Sequence, residues 1–441
     1  MNFVKKVGMA AIGITLFSAT LVCAVETPVF IRGTRVLGMG GAFTAISDDQ
    51  NAMFFNPAGL TQRQGGQFTL FELQGTISED ALSFYQFYND NKDKLEHFDS
   101  LSLTDKANLI TDINNTITKY KTEVRVGLPN TSYVSGPGLV SWGLGVFDQA
   151  DLGFQIRQGL LIPTIDVWGN IDVVCAIPLA HRFDSIPYNV PGKISVGITP
   201  KFIDRGKISD YGESILAFDN FNPVIQMGQG YGFDLGALYQ PTDRWNVGLT
   251  INDFGGTPIT YARSESTNNN ITTVKDAFTG IIMPRWNLGG AYVPSKICYW
   301  PGKSFSTKDR LVLAVDADDL ISDIEPLTDQ SFYKKLHMGA EFRFYTLSLR
   351  AGFNSGYPCA GFGLGIPYVG LNIDYAYWAD ELGLYAGQQP QWNHQINISM
   401  KWGGMCGRAY GTDVKEKAAQ AVCEPKSPKN AEPKKTETKT K

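Results

Sequence analysis

The stretch Trp392–Trp402 constrains this chain most. Trp392, His394, Ile396, Ile398, Met400 and Trp402 share one parity, and Asn393, Gln395, Asn397, Ser399 and Lys401 the other, so an extended backbone sends the two sets to opposite faces. A soluble sandwich also alternates, but its polar faces usually carry Lys and Glu and its apolar strands rarely end in aromatics at both tips. Aromatic tips on an apolar face match a strand that crosses an outer membrane with its other face to a lumen. The pattern recurs. Ile194, Val196 and Ile198 oppose Lys193, Ser195, Gly197, Thr199 and Lys201, while Tyr231, Phe233, Leu235, Ala237 and Tyr239 oppose Gly232, Asp234 and Gly236. Trp245–Ile251 alternates likewise, and Leu336–Phe344 puts His337, Gly339, Glu341 and Arg343 inward. A charge on the lipid side would cost about 2–4 kcal/mol at mid-membrane, whereas in a lumen it is paired or wet.

The fold class expected is therefore all-β: a transmembrane antiparallel barrel with a plug in its lumen. Composition agrees, with 46 Gly, 26 Phe, 19 Tyr and 8 Trp but only 19% charged residues. Tight turns at 240–243, near 345–346 and at 366–368 alternate with polar insertions at 205–228, 253–283, 319–335 and 379–391. Strands are expected near 66–76, 121–129, 138–149, 165–178, 192–204, 229–240, 244–252, 284–293, 310–318, 336–345, 347–354, 361–366, 369–378 and 392–402. That is about 14, an even number that places both ends of the barrel on the periplasmic side. The register is weakest at 294–309, which is long for a periplasmic turn. Residues 79–121 show helical rather than alternating spacing, through Leu82, Tyr85 and Tyr88, then Leu101 and Leu103, then Leu109, Ile113 and Ile117, which predicts short helices in the first outward loop.

The two ends differ from the barrel. Residues 1–24 read as a secretory signal, with Lys5 and Lys6 before an apolar run and Val22-Cys23-Ala24 as the cleavage site. Residues 403–441, rich in Lys, Glu, Pro and Thr, have little to bury and read as a disordered periplasmic tail. With both basic ends set aside, the middle is acidic, which argues against nucleic acid. Five cysteines remain beyond the signal, at 175, 298, 359, 406 and 423, without metal-ligand spacing; Cys406 and Cys423 flank one segment, and whether they pair is left open.

Residues 25–65 read as the plug of a barrel spanning 66–402. Within RGTRVLGMGGAFTAISDDQNAMFFNPAGL (32–60), Gly38, Gly40 and Gly41 permit tight bends, Asp48 and Asp49 cap a short helix through Phe55, and Asn56-Pro57 with Ala58 turns the chain. Such a stretch buries no core of its own. Met39, Phe43, Met53, Phe54, Phe55 and Leu60 need a wall to pack against.

The run Gly38–Leu60, with its glycine-rich start continuing into Ala42 and Phe43, its Asp48-Asp49 pair and its Asn56-Pro57-Ala58 turn, resembles the N-terminal hatch of the FadL family of outer-membrane channels for long-chain fatty acids and other hydrophobic compounds, most closely the spirochaetal FadL-like proteins. The resemblance implies a barrel of the same strand count and passive, hatch-gated uptake of a hydrophobic small molecule such as a fatty acid. Gly38, Gly40, Gly41, Ala42, Asp48, Asp49, Asn56, Pro57 and Ala58 would form the hatch, with Met39, Phe43, Phe54, Phe55 and Leu60 as its apolar face. The family's ligand pockets find no counterpart that can be placed on this sequence.

Catalysis has little support: His97, His181, His337 and His394 lack a partner Ser or Cys at recognisable spacing. Asp48-Asp49 and the Asp316, Asp318, Asp319 group suggest a cation, but helix capping and loop acidity explain them as well. The expectation is a channel without enzyme activity, metal or cofactor, monomeric, in contact with outer-membrane lipid. The alternative is a surface-exposed structural or interaction barrel, an adhesin or an assembly scaffold, that transports nothing. An apolar patch in the lumen, continuous with the hatch, separates the two.

Overall fold

The computed structural model describes residues 24–403, apart from 30–31, 64, 117–120, 128–129, 137, 158–163, 215–222, 269–270, 301–302, 307–309, 322–331, 345, 367–368 and 384. The signal expected at 1–24 (bar Ala24), the tail beyond Gly403 and the Cys406–Cys423 pairing lie outside the described residues.

In lipid every backbone N–H and C=O has to be bonded within the protein, so a chain of alternating strands closes on itself. Here 14 antiparallel wall strands form one closed barrel. In chain order they are Gln67–Ser78; Lys121–Gly127 with Thr131–Val134; Ser141–Arg157; Thr164–Ala176 with Leu179–Phe183; Lys193–Ser214; Ile225–Thr242; Trp245–Asn252 with Thr257–Tyr261; Phe278–Ile282 with Arg285–Tyr292; Leu311–Ala317; Leu336–Phe344; Leu347–Asn354; Tyr357–Ile366; Leu371–Glu381; and Pro390–Gly403. The ring closes where the first strand pairs with the last, from Gln67↔Gly403 to Ser78↔Asn393. Breaks within strands fall where the ladder is weakened: at Pro178, at Pro284, and at Asp253–Gly256, where Asp253, Gly255 and Gly256 take positive φ.

The expected parity is present. On the last strand Asn393, Gln395, Asn397 and Ser399 are buried while Ile396, Ile398 and Trp402 are exposed, and on the fifth Ser195, Thr199 and Lys201 are buried against exposed Val196 and Ile198. The outer surface is an apolar belt with aromatic pairs at its rims: Phe68–Trp402, Tyr133–Trp142 and Trp245–Tyr292 at the short-turn end, Tyr377–Trp392 at the other. No helix among the described residues is long and apolar enough to cross a membrane.

Three expectations are corrected. The insertion read at 205–228 begins as wall, because Lys193–Ser214 is one 22-residue strand whose charged Arg205 and Lys207 point inward; polarity there marks lumen, not loop. The insertion at 253–283 likewise carries two wall segments, Thr257–Tyr261 and Phe278–Ile282, around the hairpin Ser264–Asn268 with Ile271–Lys275. The twelfth strand starts at Tyr357 rather than 361, after a two-residue Ser355-Gly356 turn with both φ positive.

The first outward loop holds two helices, Glu79–Glu96 and Leu103–Thr116, as the spacing predicts. Their buried side differs in the first helix: Phe84, Phe87 and Leu95 pack with Leu109, Ile113, Ile156 and Ile165, leaving Tyr85 63% exposed with Leu82 and Tyr88 also outward. The connection at 294–309 contains a small hairpin, Lys296–Trp300 with Lys303–Ser306.

Candidate functional site

Residues 33–63 fold inside the barrel. Thr34–Gly38 is a short α-helix, and the tight bend expected at the glycines is its Schellman closure, with Gly41 N–H donating to Val36 O and Gly40 N–H to Leu37 O at 3.0 Å each. Gly40 takes φ +68°, and a Cβ there would sit 2.5 Å from the Phe353 carbonyl oxygen of the wall. Two 3₁₀ turns follow in place of the helix expected from Asp49 to Phe55: Gln50–Met53, capped by Asp49 accepting from Asn51 N–H, and Pro57–Gln62, capped by Asn56 accepting from Ala58 N–H. Asp49 thus caps as expected. Asp48 pairs with Arg35 instead.

The wall is shaped to receive this backbone. Where it passes closest, the facing wall residues are glycines: Gly197 under Pro57 and Ala58, Gly236 under Asn56, Gly248 under Thr44, Gly339 under Met39 and Gly361 under Gly38. Of the glycines at 361–365, Gly361 makes room for the luminal segment at Gly38, while Gly363 and Gly365 face Arg350, Asp374 and Asn372 of the wall itself.

One side of the contact is polar. Glu341, 0% exposed, accepts from three guanidinium groups: Arg35 at 2.8–3.2 Å, Arg343 at 2.7 Å and Arg350 at 3.0 Å. Arg35 also donates to Asp48 at 2.5 Å and Asp49 at 2.7 Å, and Arg350 to Asp374 at 2.7 Å. Burial alone would raise the Asp49 carboxyl, but the Arg35 guanidinium overrides it and holds that group below its ordinary 3.8. Nearby, the Asp316 carboxylate accepts the N–H groups of Phe43 and Thr44 at 2.6 Å each, and a His337 ring nitrogen meets Gly40 O at 2.8 Å. Asp316 and His337 thus both contact the backbone of the luminal segment. Asn56, fully buried, donates to Thr44 O and to Ala237 O of the sixth strand.

The other side is apolar. Ala52, Met53 and Leu60, with Phe54 packed against them, join inward Val134, Phe147, Val174 and Ile203, then Ile259, Tyr261, Ile282 and Phe278 further out, in one continuous cluster. Phe54 meets Phe147 edge to face at 4.8 Å, and Tyr261 stacks on Phe278 at 4.5 Å. A second cluster seats Met39, Ala42, Phe43 and Phe55 against Ala291, Val293, Val312 and Ala314.

All the expected residues of the luminal segment come together there: Gly38, Ala42, Pro57, Ala58, Met39, Phe43 and Leu60 are buried, with Phe54 and Phe55 partly so. Sequence reasoning missed Arg35, and with it the pairing of Glu341 with Asp48 and Asp49 through one guanidinium, although parity had placed Glu341 and Arg343 inward and both aspartates were assigned to the hatch. It also missed the aromatic and branched track on strands three to eight.

No protein-family model matches the chain, and no curated protein matches it. Solved structures of similar architecture include the Ralstonia pickettii toluene transporter TbuX, at 12% identity over 85% of this chain and 98% of that one, TM-score 0.47. The Pseudomonas putida toluene transporter TodX is similar at 14% identity over 87% and 99%, TM-score 0.46, and a Pseudomonas aeruginosa FadL homologue at 12% over 86% and 99%, TM-score 0.45. The chain itself is a closed barrel with a filled lumen. Its function has to be argued from that lumen.

Proposed function

We propose that the protein is an outer-membrane channel for passive uptake of hydrophobic molecules, long-chain fatty acids among them, in which residues 25–65 form a hatch, 66–402 the barrel and 403–441 a periplasmic tail. The kinship with spirochaetal FadL-like proteins belongs to the same reading and rests on the hatch motif. The observation that carries the function is the apolar track from Met53, Phe54 and Leu60 through Phe147, Val174 and Ile203 to Tyr261 and Phe278. A barrel that only displays loops has no use for a greasy stripe leading to its plug, and a water-filled pore would be lined by polar groups. The lipid-facing belt supports a monomer surrounded by membrane. Hatch movement away from Phe147 would open the lower end of the track, and no residue is required to make or break a covalent bond.

The test is uptake of a fluorescent long-chain fatty acid and of toluene by the protein in liposomes, with a sugar as control and a hatch variant in parallel. Saturable, hatch-dependent passage of the hydrophobic probes without sugar flux is expected. A folded barrel that binds and passes neither probe would overturn the reading in favour of a surface-interaction barrel.

A further inference from the structure

The outer end of the apolar track is occupied by the chain's own N-terminal segment. Ala24–Glu26 pairs in parallel with one edge of Phe278–Ile282, in the register Ala24↔Gly280, Val25↔Ile281, Glu26↔Ile282, while Thr257–Tyr261 takes the other edge. The ninth wall strand stops short of this height, its last residue Ala317 lying opposite Leu288. Among the described residues, then, the N-terminal segment is what completes the ladder there.

Its side chains form an anion contact. Glu26, 3% exposed, accepts from Lys207 Nζ at 2.7 Å and from the Tyr261 hydroxyl at 3.2 Å, and Arg205 Nη1 lies 3.6 Å from its carboxylate. Arg205 is shared: it donates to Asp172 at 2.6 and 2.9 Å and, on the Glu26 side, to Thr27 O at 2.7 Å. Asn170 holds the Thr27 hydroxyl at 3.0 Å. A Cβ at Gly280 would collide with Glu26, so that position leaves the carboxylate its room. Val29, three residues on, packs against the track itself. The segment thus presents a carboxylate to two cations and a hydroxyl, and an apolar body to the greasy stripe behind them. Asp172 balances one cation. Once Glu26 leaves, Lys207 and the near side of Arg205 have lost a buried counter-charge, which is costly unless another anion replaces it.

We propose that the Arg205–Lys207–Tyr261 cluster is an anion-binding site held closed by Glu26, so that residues 25–29 are a tethered occupant which a carboxylate-bearing hydrophobic molecule displaces to reach the track. This rests on the channel reading and adds self-competition at its mouth, with a preference for carboxylates over neutral analogues of the same chain length.

Binding of a spin-labelled long-chain fatty acid and of the matching fatty alcohol is measured on the full chain in detergent, for wild type, Glu26→Gln, and Glu26→Gln with Lys207→Gln. Loss of the internal competitor in Glu26→Gln is expected to raise affinity for the acid about tenfold relative to the alcohol, as when an occluded state is depopulated; adding Lys207→Gln should abolish that gain. A Val25→Cys, Ile281→Cys pair, clamped by oxidation across the observed register, should block the acid until reduced. An unchanged acid-to-alcohol ratio in a Glu26→Gln protein that still migrates as a folded barrel overturns the proposal, as does normal acid binding by the clamped pair. If wild type neither binds nor passes either probe, the channel reading has failed and this inference with it; if wild type does both and Glu26→Gln changes nothing, only the inference has failed.

Discussion

The two sides of the lumen hold the same plug by different physics. On strands ten to thirteen, Arg35 is fixed to Glu341 within a cluster of alternating charge, where geometry is specific and a lost partner leaves a buried charge behind. On strands three to eight, Met53 and Phe54 lie on Phe147 and Val174, where contact is non-directional and one apolar group substitutes for another. A hydrophobic molecule can compete for the second surface and has no means of competing for the first. The difference suggests a hinge side and a yielding side. In the proposed channel, the ion cluster would keep the segment registered while the apolar face opens.

Breaking the first surface should have the largest effect. Arg35→Met leaves Glu341, Asp48 and Asp49 short of a cation and is expected to cost about 3–5 kcal/mol of hatch docking. Hydrogen exchange should then show residues 34–62 losing protection while the wall strands keep theirs; equal protection in variant and wild type would mean that the charges are dispensable. Phe147→Asn attacks the other surface, removing roughly 1.5–3 kcal/mol of apolar burial at the foot of the track. Uptake of toluene and fatty acid should fall steeply with the hatch still protected, and undiminished uptake would place the route elsewhere.

The unequal legibility of these surfaces follows from their chemistry. Strand parity is enforced by lipid at every second residue, so Trp392–Trp402 shows it in a single stretch, as does Leu336–Phe344. The luminal segment was legible as a unit because its glycines and its Asn56-Pro57 turn are local signals. Arg35 was not, since its worth depends on Glu341, 306 residues away, and nothing local distinguishes an arginine aimed at a buried carboxylate from one aimed at water. Inward polarity misled at Arg205 and Lys207 for the opposite reason. A lumen that binds a charged segment looks, residue by residue, like a loop.

Smaller changes sharpen the comparison. Replacing Asn56-Pro57 by Ala-Ala removes the cap of Pro57–Gln62 and the bonds to Thr44 and Ala237, at about 1–2 kcal/mol. That should speed exchange in the hatch without unfolding the barrel, so loss of heat-modifiable gel migration would show that hatch and wall fold as one unit. Acid should act most weakly, and only on the charged side. Because Asp49 is held below its ordinary 3.8 when docked, the docked hatch binds fewer protons than the released one. Its contribution is therefore fully present above that ordinary value and is lost as pH falls through the depressed one. Hatch protection should stay level from about pH 7 to about pH 5 and decline only once the pH falls below that ordinary 3.8, with the Phe54–Phe147 contact unaffected throughout. A decline already complete between about pH 7 and pH 5 would assign the latch to a group that titrates higher, and would remove Arg35–Asp49 from its centre.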